Sequence, residues 1–287
     1  MTFAKGHGTN NDFVIVQDRH GLVPIGVEDV QYLCDRRGGI GGDGLLRVTK
    51  GGSIPGWDGD PSVWFMDYRN ADGSIAEMCG NGLRVFGRYL LDEDLVEDGS
   101  VIEVGTRAGL RTIEPLLDGR LRTALGRVEL VDDPVEVTIT LPGGMVQGTW
   151  LATEANVGNP HAICFLDGGV PLTELDLSRE PAWTPGRFPE GTNIEFVQPL
   201  AERHIAMRVH ERGAGETMSC GTGTVAAATA HARRLGLGAG EIRVDVAGGT
   251  LVVDLTDVDD HGATASLTGP AVIVARGEVL VPGPAEN

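Results

Sequence analysis

Two cysteines in closely similar settings are the residues of this chain best suited to chemistry. Cys79 lies in EMCGNGLR and Cys220 in TMSCGTGTV, so each precedes a Gly-x-Gly and a run that predicts a helix. A thiol at a helix N-terminus lies beside unpaired backbone N–H groups and the positive end of the helix dipole, which lowers its pKa toward neutrality. The flanking glycines let an anion approach those N–H groups. The pattern predicts an activated thiol beside an anion pocket.

The alternative interpretation is structural, because a free cysteine is commonly a small buried hydrophobe and the Ala-rich run after Cys220 suits a tightly packed helix. A repeat favours the chemical interpretation. Both stretches run strand, turn, acidic residue, Cys-Gly-x-Gly and helix, and NDFVIVQD at Asn11 has a counterpart in NPHAICFLD at Asn159. The repeat predicts two similar domains, each presenting one thiol at a helix start.

Two equivalent thiols suit a reaction with two equivalent half-steps. One thiolate removes a proton from one face of a carbon while the other thiol donates a proton to the opposite face, which inverts an acidic C–H centre. Two helix N-termini supply a preorganised field for a carboxylate that becomes enolate-like. Cys34 and Cys164 lack this setting, and we expect structural roles for them.

Composition narrows the class of protein. The formal charge of −18 would repel a phosphate backbone, so nucleic acid is excluded as a partner. No run reaches the about 18 apolar residues of a membrane span, and the N-terminus lacks the apolar segment of a secretory signal. We expect a globular protein of the cytosol with free thiols, since the cysteines have no metal-binding spacing.

Few residues are suited to holding a cofactor. The only lysines are Lys5 and Lys50, which disfavours a pyridoxal phosphate enzyme. The glycines at 39, 41 and 44 fit a dinucleotide-binding motif, but a helical pattern precedes them and a strand pattern follows, the reverse of what that motif needs. We expect no cofactor and no metal.

The hydrophobic pattern predicts a β-rich α+β fold. Four segments have helical patterns, namely 27–37, 82–92, 172–178 and 222–235. Strand patterns separated by Gly, Pro and Asp turns occur at 13–17, 63–68, 101–106, 135–141, 162–166, 205–210, 242–246, 250–255 and 271–275.

With the two cysteine motifs quoted together, the chain resembles the diaminopimelate epimerases, which are pyridoxal-independent two-cysteine enzymes. The resemblance also includes KGHGTNNDFVIV, DRRGGIGGDGLL, DYRNADGS, NVGNPHAICF and FPEGTNIEFV, so it spans nearly the whole chain in order. The related proline racemases and hydroxyproline epimerases usually have histidine after the first Cys-Gly, where this chain has Asn81.

The resemblance implies a fold and an activity. The fold is two pseudo-symmetric domains, each a curled β-structure around a central helix, with the active site between them. The expected domains are 1–122 plus 271–287, carrying Cys79, and 123–270, carrying Cys220. The activity is epimerisation of LL-diaminopimelate to meso-diaminopimelate in lysine and peptidoglycan precursor biosynthesis, and the expected assembly is a homodimer.

The resemblance also implies roles for individual residues. Cys79 and Cys220 form the acid/base pair, and His161 and Glu211 orient or tune the thiols. The carboxylate at the reacting centre is bound by Asn11, Gly80, Asn81, Gly221 and Thr222. The distal amino acid group is held by Asn70, Asn159, Asn193 and Arg212, with Glu211 beside an amine.

The chain departs from the family pattern at one position. Gly44 stands where many members carry glutamine, so this chain lacks the side chain that would make the corresponding contact.

Two competing functions are consistent with the cysteine motifs. A racemase of another amino acid would not require Arg212 with Asn70 and Asn193. A dithiol redox or ligand-binding protein would perform no C–H chemistry at all.

Overall fold

A computed structural model describes residues 1–281 of the chain. These residues fall into two compact units. The first contains Met1–Thr123 and the chain from Pro270 onward, and the second is Ala124–Gly269. The bounds differ by one residue from those expected for the two domains, and residues 282–287 of the expected first domain lie outside the described residues.

Strands dominate both units. The helices are α1 (Val27–Cys34), α2 (Gly80–Asp92) and α3 (Gly221–Leu235), with 3-10 turns at Gly51–Ser53 and Leu172–Glu174. The strands are β1 (Thr2–Gly8), β2 (Asn11–Gln17), β3 (Gly44–Lys50), β4 (Trp64–Asn70), β5 (Ile102–Thr106), β6 (Gly109–Pro115), β7 (Leu121–Thr140), β8 (Val146–Asn156), β9 (Pro160–Phe165), β10 (Ala182–Trp183), β11 (Asn193–Ala201), β12 (His204–Glu211), β13 (Gly215–Thr217), β14 (Gly240–Val246), β15 (Gly249–Asp259), β16 (Gly262–Gly269) and β17 (Val272–Glu278).

The first unit is a row of strands curled around α2. The row runs β17, β1, β2, β3, β4, β5, β6, and the start of β7 pairs with β6. The β2–β3 and β4–β5 pairs are parallel and the others are antiparallel. Helix α2 packs against β1, β2, β3, β4, β6 and β17.

The second unit repeats this pairing pattern. Its row runs β7, β8, β9, β11, β12, β14, β15, β16, with β9–β11 and β12–β14 parallel. The Leu130 N–H on β7 donates to the His261 carbonyl before β16 over 2.8 Å. Helix α3 packs against β8, β9, β11, β12, β14, β15 and β16. The α+β fold with a central helix in each unit is thereby confirmed.

Small side chains explain how α3 fits inside its strands. Every residue from Gly221 to Ala232 is buried, so the helix is enclosed on all sides rather than along one stripe. In the first unit α2 is also buried, although through larger side chains that include Leu83, Phe86 and Leu90. No helix in residues 1–281 combines the length and apolarity needed to cross a membrane.

Three of the four expected helices are present, with ends that differ by a few residues. The helix expected at 172–178 is wrong, because only a 3-10 turn at Leu172–Glu174 forms there. The carbonyl groups of Leu172 and Leu175 accept hydrogen bonds from Arg208 Nη1 over 2.8 and 2.9 Å. The Asp176 N–H, which a helix would direct to the Leu172 carbonyl, instead donates to Gln147 Oε1 over 2.9 Å, so the segment does not continue as a helix.

The tight enclosure of α3 generates a stability prediction. Ala228 is fully buried, so Ala228→Leu forces extra methylenes into a packed core and lowers the free energy of unfolding by about 1–3 kcal/mol. Urea denaturation followed by circular dichroism measures the change. Ala239→Leu, in the exposed loop after α3, is the matched control and should change stability little. Equal stability of the two variants would mean that α3 is not enclosed.

Candidate active site

The two cysteines occupy the same backbone position in their units. Cys79 is the N-cap residue of α2, and its sulfur accepts a hydrogen bond from the Gly82 N–H over 3.4 Å. Cys220 is the N-cap residue of α3, and its sulfur accepts from the Gly223 N–H over 3.4 Å. In both helices the thiol thus takes the place that an N-cap serine or aspartate usually fills.

Two asparagine amides lie next to Cys79. Asn11 Oδ1 is 3.7 Å from the Cys79 sulfur and accepts a hydrogen bond from Asn81 Nδ2 over 3.2 Å. Asn11 Nδ2 in turn donates to Asp43 Oδ2 over 2.7 Å. Asn11 therefore faces the thiol with its carbonyl oxygen, while its amide nitrogen points to a carboxylate.

A fully buried guanidinium lies behind the same helix end. Arg84 Nη2 donates to Asn81 Oδ1 over 2.8 Å, and its other acceptors are the Gly80 and Pro270 carbonyls and the Thr9 hydroxyl, at 3.4–3.5 Å. Burial lowers the pKa of Arg84 to about 10, and the Cys79 thiolate opposes that shift. In the described part of the chain every acceptor of Arg84 is neutral.

Two further residues of the first unit have local roles. Asn70 Nδ2 donates to Ser74 Oγ over 3.0 Å, a bond within the turn after β4. A Cβ at Gly44 would lie 2.5 Å from the Arg69 carbonyl oxygen and 2.7 Å from Tyr68 Cε2. The glutamine common at this position in the family therefore has no room here unless the Tyr68 ring and the neighbouring strand move.

The thiol of the second unit is held in its protonated form. Burial raises the pKa of Cys220 well above its usual range, and the nearby carboxylates of Glu211 and Glu195 raise it further. Contacts with Thr222 and the Gly223 N–H oppose that shift without reversing it. The expectation that the helix N-terminus lowers this thiol pKa is therefore wrong, because desolvation and two carboxylates outweigh the field of the helix.

A chain of buried polar groups connects His161 to Cys220. His161 Nδ1 lies 2.7 Å from Glu195 Oε1, and Nε2 lies 3.1 Å from Asn159 Oδ1. Asn159 Nδ2 donates to Thr222 Oγ1 over 3.4 Å, and that hydroxyl lies 3.5 Å from the Cys220 sulfur. Both histidine nitrogens thus face oxygen atoms, one of the Glu195 carboxylate and one of the Asn159 amide.

Glu211, Asn193 and Arg212 adjoin this network in the second unit. Glu211 hydrogen-bonds both the Thr217 hydroxyl and the Cys220 thiol, and burial raises its own pKa. Asn193 Oδ1 accepts from the Arg212 backbone N–H over 3.0 Å. The exposed Arg212 guanidinium donates to the Glu190 carbonyl over 3.3 Å, which leaves most of its five donors for a ligand.

The sequence reasoning missed Asp43, Arg84 and Glu195. Arg84 and Glu195 left a signal, since each is a charged residue in an apolar run, GLRVF and NIEFV, and each is fully buried. Glu195 also explains one glycine of the second motif, because a Cβ at Gly223 would lie 2.3 Å from Glu195 Oε1. Asp43 lies in a glycine-rich segment and left no such signal.

The remaining cysteines and the lysines are engaged elsewhere. Burial raises the pKa of Cys34 to about 11 and raises that of Cys164 well above its usual range, so neither is a thiolate at neutral pH. Lys5 pairs with Asp12 over 2.6 Å, and Lys50 donates to the Ser62 carbonyl over 2.8 Å. Among residues 1–281, no group of three or more His, Cys, Asp or Glu side chains is placed to hold a metal ion.

Comparison with known proteins identifies the family. The family model described as diaminopimelate epimerase matches residues 3–131 and 153–274. The chain belongs to the diaminopimelate epimerase family. It is 46% identical to a diaminopimelate epimerase of Streptomyces coelicolor over 97% of this chain and 95% of that protein. It is 47% identical to one of Thermobifida fusca over 97% of this chain and 98% of that protein. The family is one of isomerases, so the chain is an enzyme of that class.

Solved structures share the fold at low identity. A probable proline racemase of Agrobacterium radiobacter superposes with a TM-score of 0.67 at 17% identity, covering 98% of this chain and 93% of that chain. A hydroxyproline epimerase of Agrobacterium vitis gives a TM-score of 0.67 at 15% identity, covering 96% of this chain and 91% of that chain. These likenesses concern the fold alone.

The carboxylates around Cys220 generate a prediction about its reactivity. Glu211→Gln removes a negative charge beside the thiol but keeps an oxygen for Thr217, so the pKa of Cys220 should fall. The pH dependence of iodoacetamide labelling, resolved by peptide mass spectrometry, measures the shift. Glu216→Gln removes an exposed carboxylate that pairs with Arg208, and it should leave the labelling of Cys220 unchanged. A higher midpoint in Glu211→Gln would contradict the assigned cause.

Proposed function

We propose that this enzyme catalyses the cofactor-independent epimerisation of LL-diaminopimelate to meso-diaminopimelate. The observation that carries the proposal is the matched pair of N-cap thiols, one at the central helix of each unit, in a chain of this family. Each unit would be one epimerase half. The relatives' names supply the substrate, and the two equivalent thiols supply the reaction type.

In the proposed mechanism the two thiols act on opposite faces of one α-carbon. A thiolate takes the α-proton, the C–H electron pair becomes delocalised into the adjoining carboxylate, and the other cysteine then donates its S–H proton to the opposite face. The thiolate and the thiol thereby exchange places while substrate and product remain isomers. The reverse reaction uses the same groups in opposite roles.

The first turns of α2 and α3 would bind the carboxylate that becomes enolate-like. The backbone N–H groups of a helix N-terminus have no acceptor within the helix, and the helix dipole favours negative charge there. Donors that are already oriented stabilise the developing charge at no cost in reorganisation. The proposed donors are the backbone groups of Gly80, Asn81, Gly221 and Thr222.

A second set of residues would bind the distal end of the substrate. Arg212 presents a planar guanidinium that can grip a carboxylate through two hydrogen bonds. The amides of Asn70, Asn159 and Asn193 can serve either an amine or a carboxylate, and Glu211 can accept from an ammonium group. A substrate with an amino acid group at each end uses both sets.

The proposal also covers the setting of the enzyme. It includes lysine and peptidoglycan precursor biosynthesis as the pathway, the cytosol as the compartment and a homodimer as the assembly. These three points rest on the family resemblance.

Incubation with LL-diaminopimelate in deuterated water tests the proposed function. We expect a meso product with deuterium at one α-carbon, because the incoming proton comes from a thiol that exchanges with solvent. Cys79→Ala and Cys220→Ala should each abolish epimerisation, whereas Cys34→Ala, the same substitution at a buried cysteine outside the site, should retain it.

Other outcomes identify the competing functions. Turnover of a different amino acid without turnover of diaminopimelate would indicate a racemase with another specificity. No exchange at any carbon, together with reversible oxidation of the thiols, would indicate a dithiol redox protein. Near wild-type rates in either Cys→Ala variant of the proposed pair would exclude the two-thiol mechanism.

The proposed grip of Arg212 has its own test. Arg212→Lys replaces a planar guanidinium, which can form two parallel hydrogen bonds with a carboxylate, by an ammonium group. We therefore expect kcat/KM for diaminopimelate to fall by about tenfold or more. Arg243→Lys changes an exposed arginine that pairs with Asp245, and it should leave kcat/KM unchanged. Unchanged kcat/KM in Arg212→Lys would remove this residue from the substrate site.

A further inference from the structure

We propose that Asp43 is a positioning residue for Cys79, because it turns the Asn11 amide so that the Asn11 carbonyl oxygen accepts the thiol S–H. Asp43 is remote in sequence from Cys79 and acts on it only through Asn11. The catalytic consequence of this arrangement rests on the proposed two-thiol function, whereas the arrangement itself is testable without turnover.

The first step is the orientation of Asn11. A carboxylate only accepts hydrogen bonds, so the 2.7 Å contact between Asn11 and Asp43 Oδ2 requires the amide nitrogen to face Asp43. Asp43 is itself held in place. The Asp12 backbone N–H donates to Oδ2 over 3.1 Å, and Arg36 Nη2 donates to Oδ1 over 2.7 Å. The carbonyl oxygen of Asn11 must then point the other way, toward Cys79.

The second step comes from the opposite end of the network. A guanidinium only donates, so the 2.8 Å bond from Arg84 requires the Asn81 oxygen to face Arg84. The Asn81 amide nitrogen therefore donates to Asn11 Oδ1 over 3.2 Å. The Asp43 carboxylate at one end and the Arg84 guanidinium at the other therefore orient both amides in the same direction. Their bonds converge on one oxygen, 3.7 Å from the Cys79 sulfur.

The third step is the consequence for the thiol. A carbonyl oxygen can accept from S–H but repels a thiolate, so this oxygen favours the protonated form of Cys79. The Gly82 N–H donates to the sulfur in either form. Under the proposed function, Asn11 would hold the S–H proton in a fixed direction until the proton is transferred. Asn11 then serves as an acceptor for the thiol, and its second amide N–H remains for the substrate carboxylate, the contact that the family resemblance implies.

The second unit has a different arrangement. The Cys220 sulfur lies 3.5 Å from the Thr222 hydroxyl, which can donate or accept as it rotates, and the thiol is also hydrogen-bonded to the Glu211 carboxylate. The two thiols therefore share a backbone position but differ in side-chain control. The acceptor is a neutral amide oxygen oriented by Asp43 in the first unit and a carboxylate in the second.

Charge alone could also change the reactivity of Cys79, so the test must separate charge from amide orientation. In the first unit the charged groups that lie with Asp43 are Lys5 on β1, Asp12 on β2 and Arg36 before β3. Those next to Cys79 along the chain are the exposed Glu77 and the buried Arg84 on α2. Asp12 pairs with Lys5 and Arg36 but does not contact the Asn11 side chain. It is therefore a control for charge.

The experiment measures the pH dependence of Cys79 alkylation by iodoacetamide in the full chain, resolved by peptide mass spectrometry. Asp43→Leu removes both the charge and the acceptor, Asp43→Asn keeps an acceptor oxygen, and Asp12→Asn removes a nearby charge only. In Asp43→Leu the Asn11 amide keeps only its bonds with Asn81 and Cys79, so the loss of the carboxylate lets it turn its nitrogen toward the sulfur more readily. We expect its midpoint to lie about one pH unit below those of Asp43→Asn and Asp12→Asn.

Two results would overturn the proposal. Equal midpoints in Asp43→Leu and Asp43→Asn would show that only charge matters and would overturn the proposal. If Asp43→Leu does not fold, Asn11→Ala removes the acceptor directly and should also lower the midpoint, and an unchanged midpoint there would overturn the proposal. Because alkylation requires no turnover, failure here is distinct from failure of the deuterium experiment.

Discussion

The unsatisfied backbone N–H groups at the start of a buried helix are the constraint on which this structure depends. Each unit curls its strands around one central helix, so that helix begins inside the protein. The backbone N–H groups of its first turn need hydrogen-bond acceptors there. In both units a cysteine sulfur accepts one of these N–H groups. The position that caps the helix is therefore also the position at which a thiol lies beside the backbone N–H groups of the first turn.

The same backbone solution has two different electrostatic surroundings. In the first unit neutral amides contact the thiol, with Arg84 buried behind them. In the second unit two carboxylates and a buried histidine surround the thiol, and the pKa of Cys220 is raised. The two thiols therefore share a backbone position but have different neighbouring groups, although the two units repeat the same fold.

Glycine has a specific steric role in these sites. A side chain at Gly223 would displace Glu195, which pairs with His161. A side chain at Gly44 would displace Tyr68 and the neighbouring strand. In both places the absence of a Cβ leaves room for another residue to act or to pack. These two glycines are therefore explained by the space that they leave for neighbouring groups rather than by backbone flexibility.

The sequence by itself determined the local features of this protein. The Cys-Gly-x-Gly motifs, the two-fold repeat, the β-rich composition and helices α2 and α3 follow from patterns in the chain, because N-caps and periodicity are short-range properties. The family could be recognised from the sequence for the same reason, since its motifs are contiguous.

Only the tertiary structure decided which groups surround each thiol. The hydrogen bonds between Asn11 and Asp43 and between His161 and Glu195 join residues distant in sequence. Burial, which raises the pKa of Cys220, exists only once the strands have closed around α3. The absence of the helix expected at 172–178 has a similar origin, because the distant Gln147 accepts the Asp176 N–H that the helix would need. Desolvation and long-range hydrogen bonds depend on the whole fold, and no local pattern encodes them.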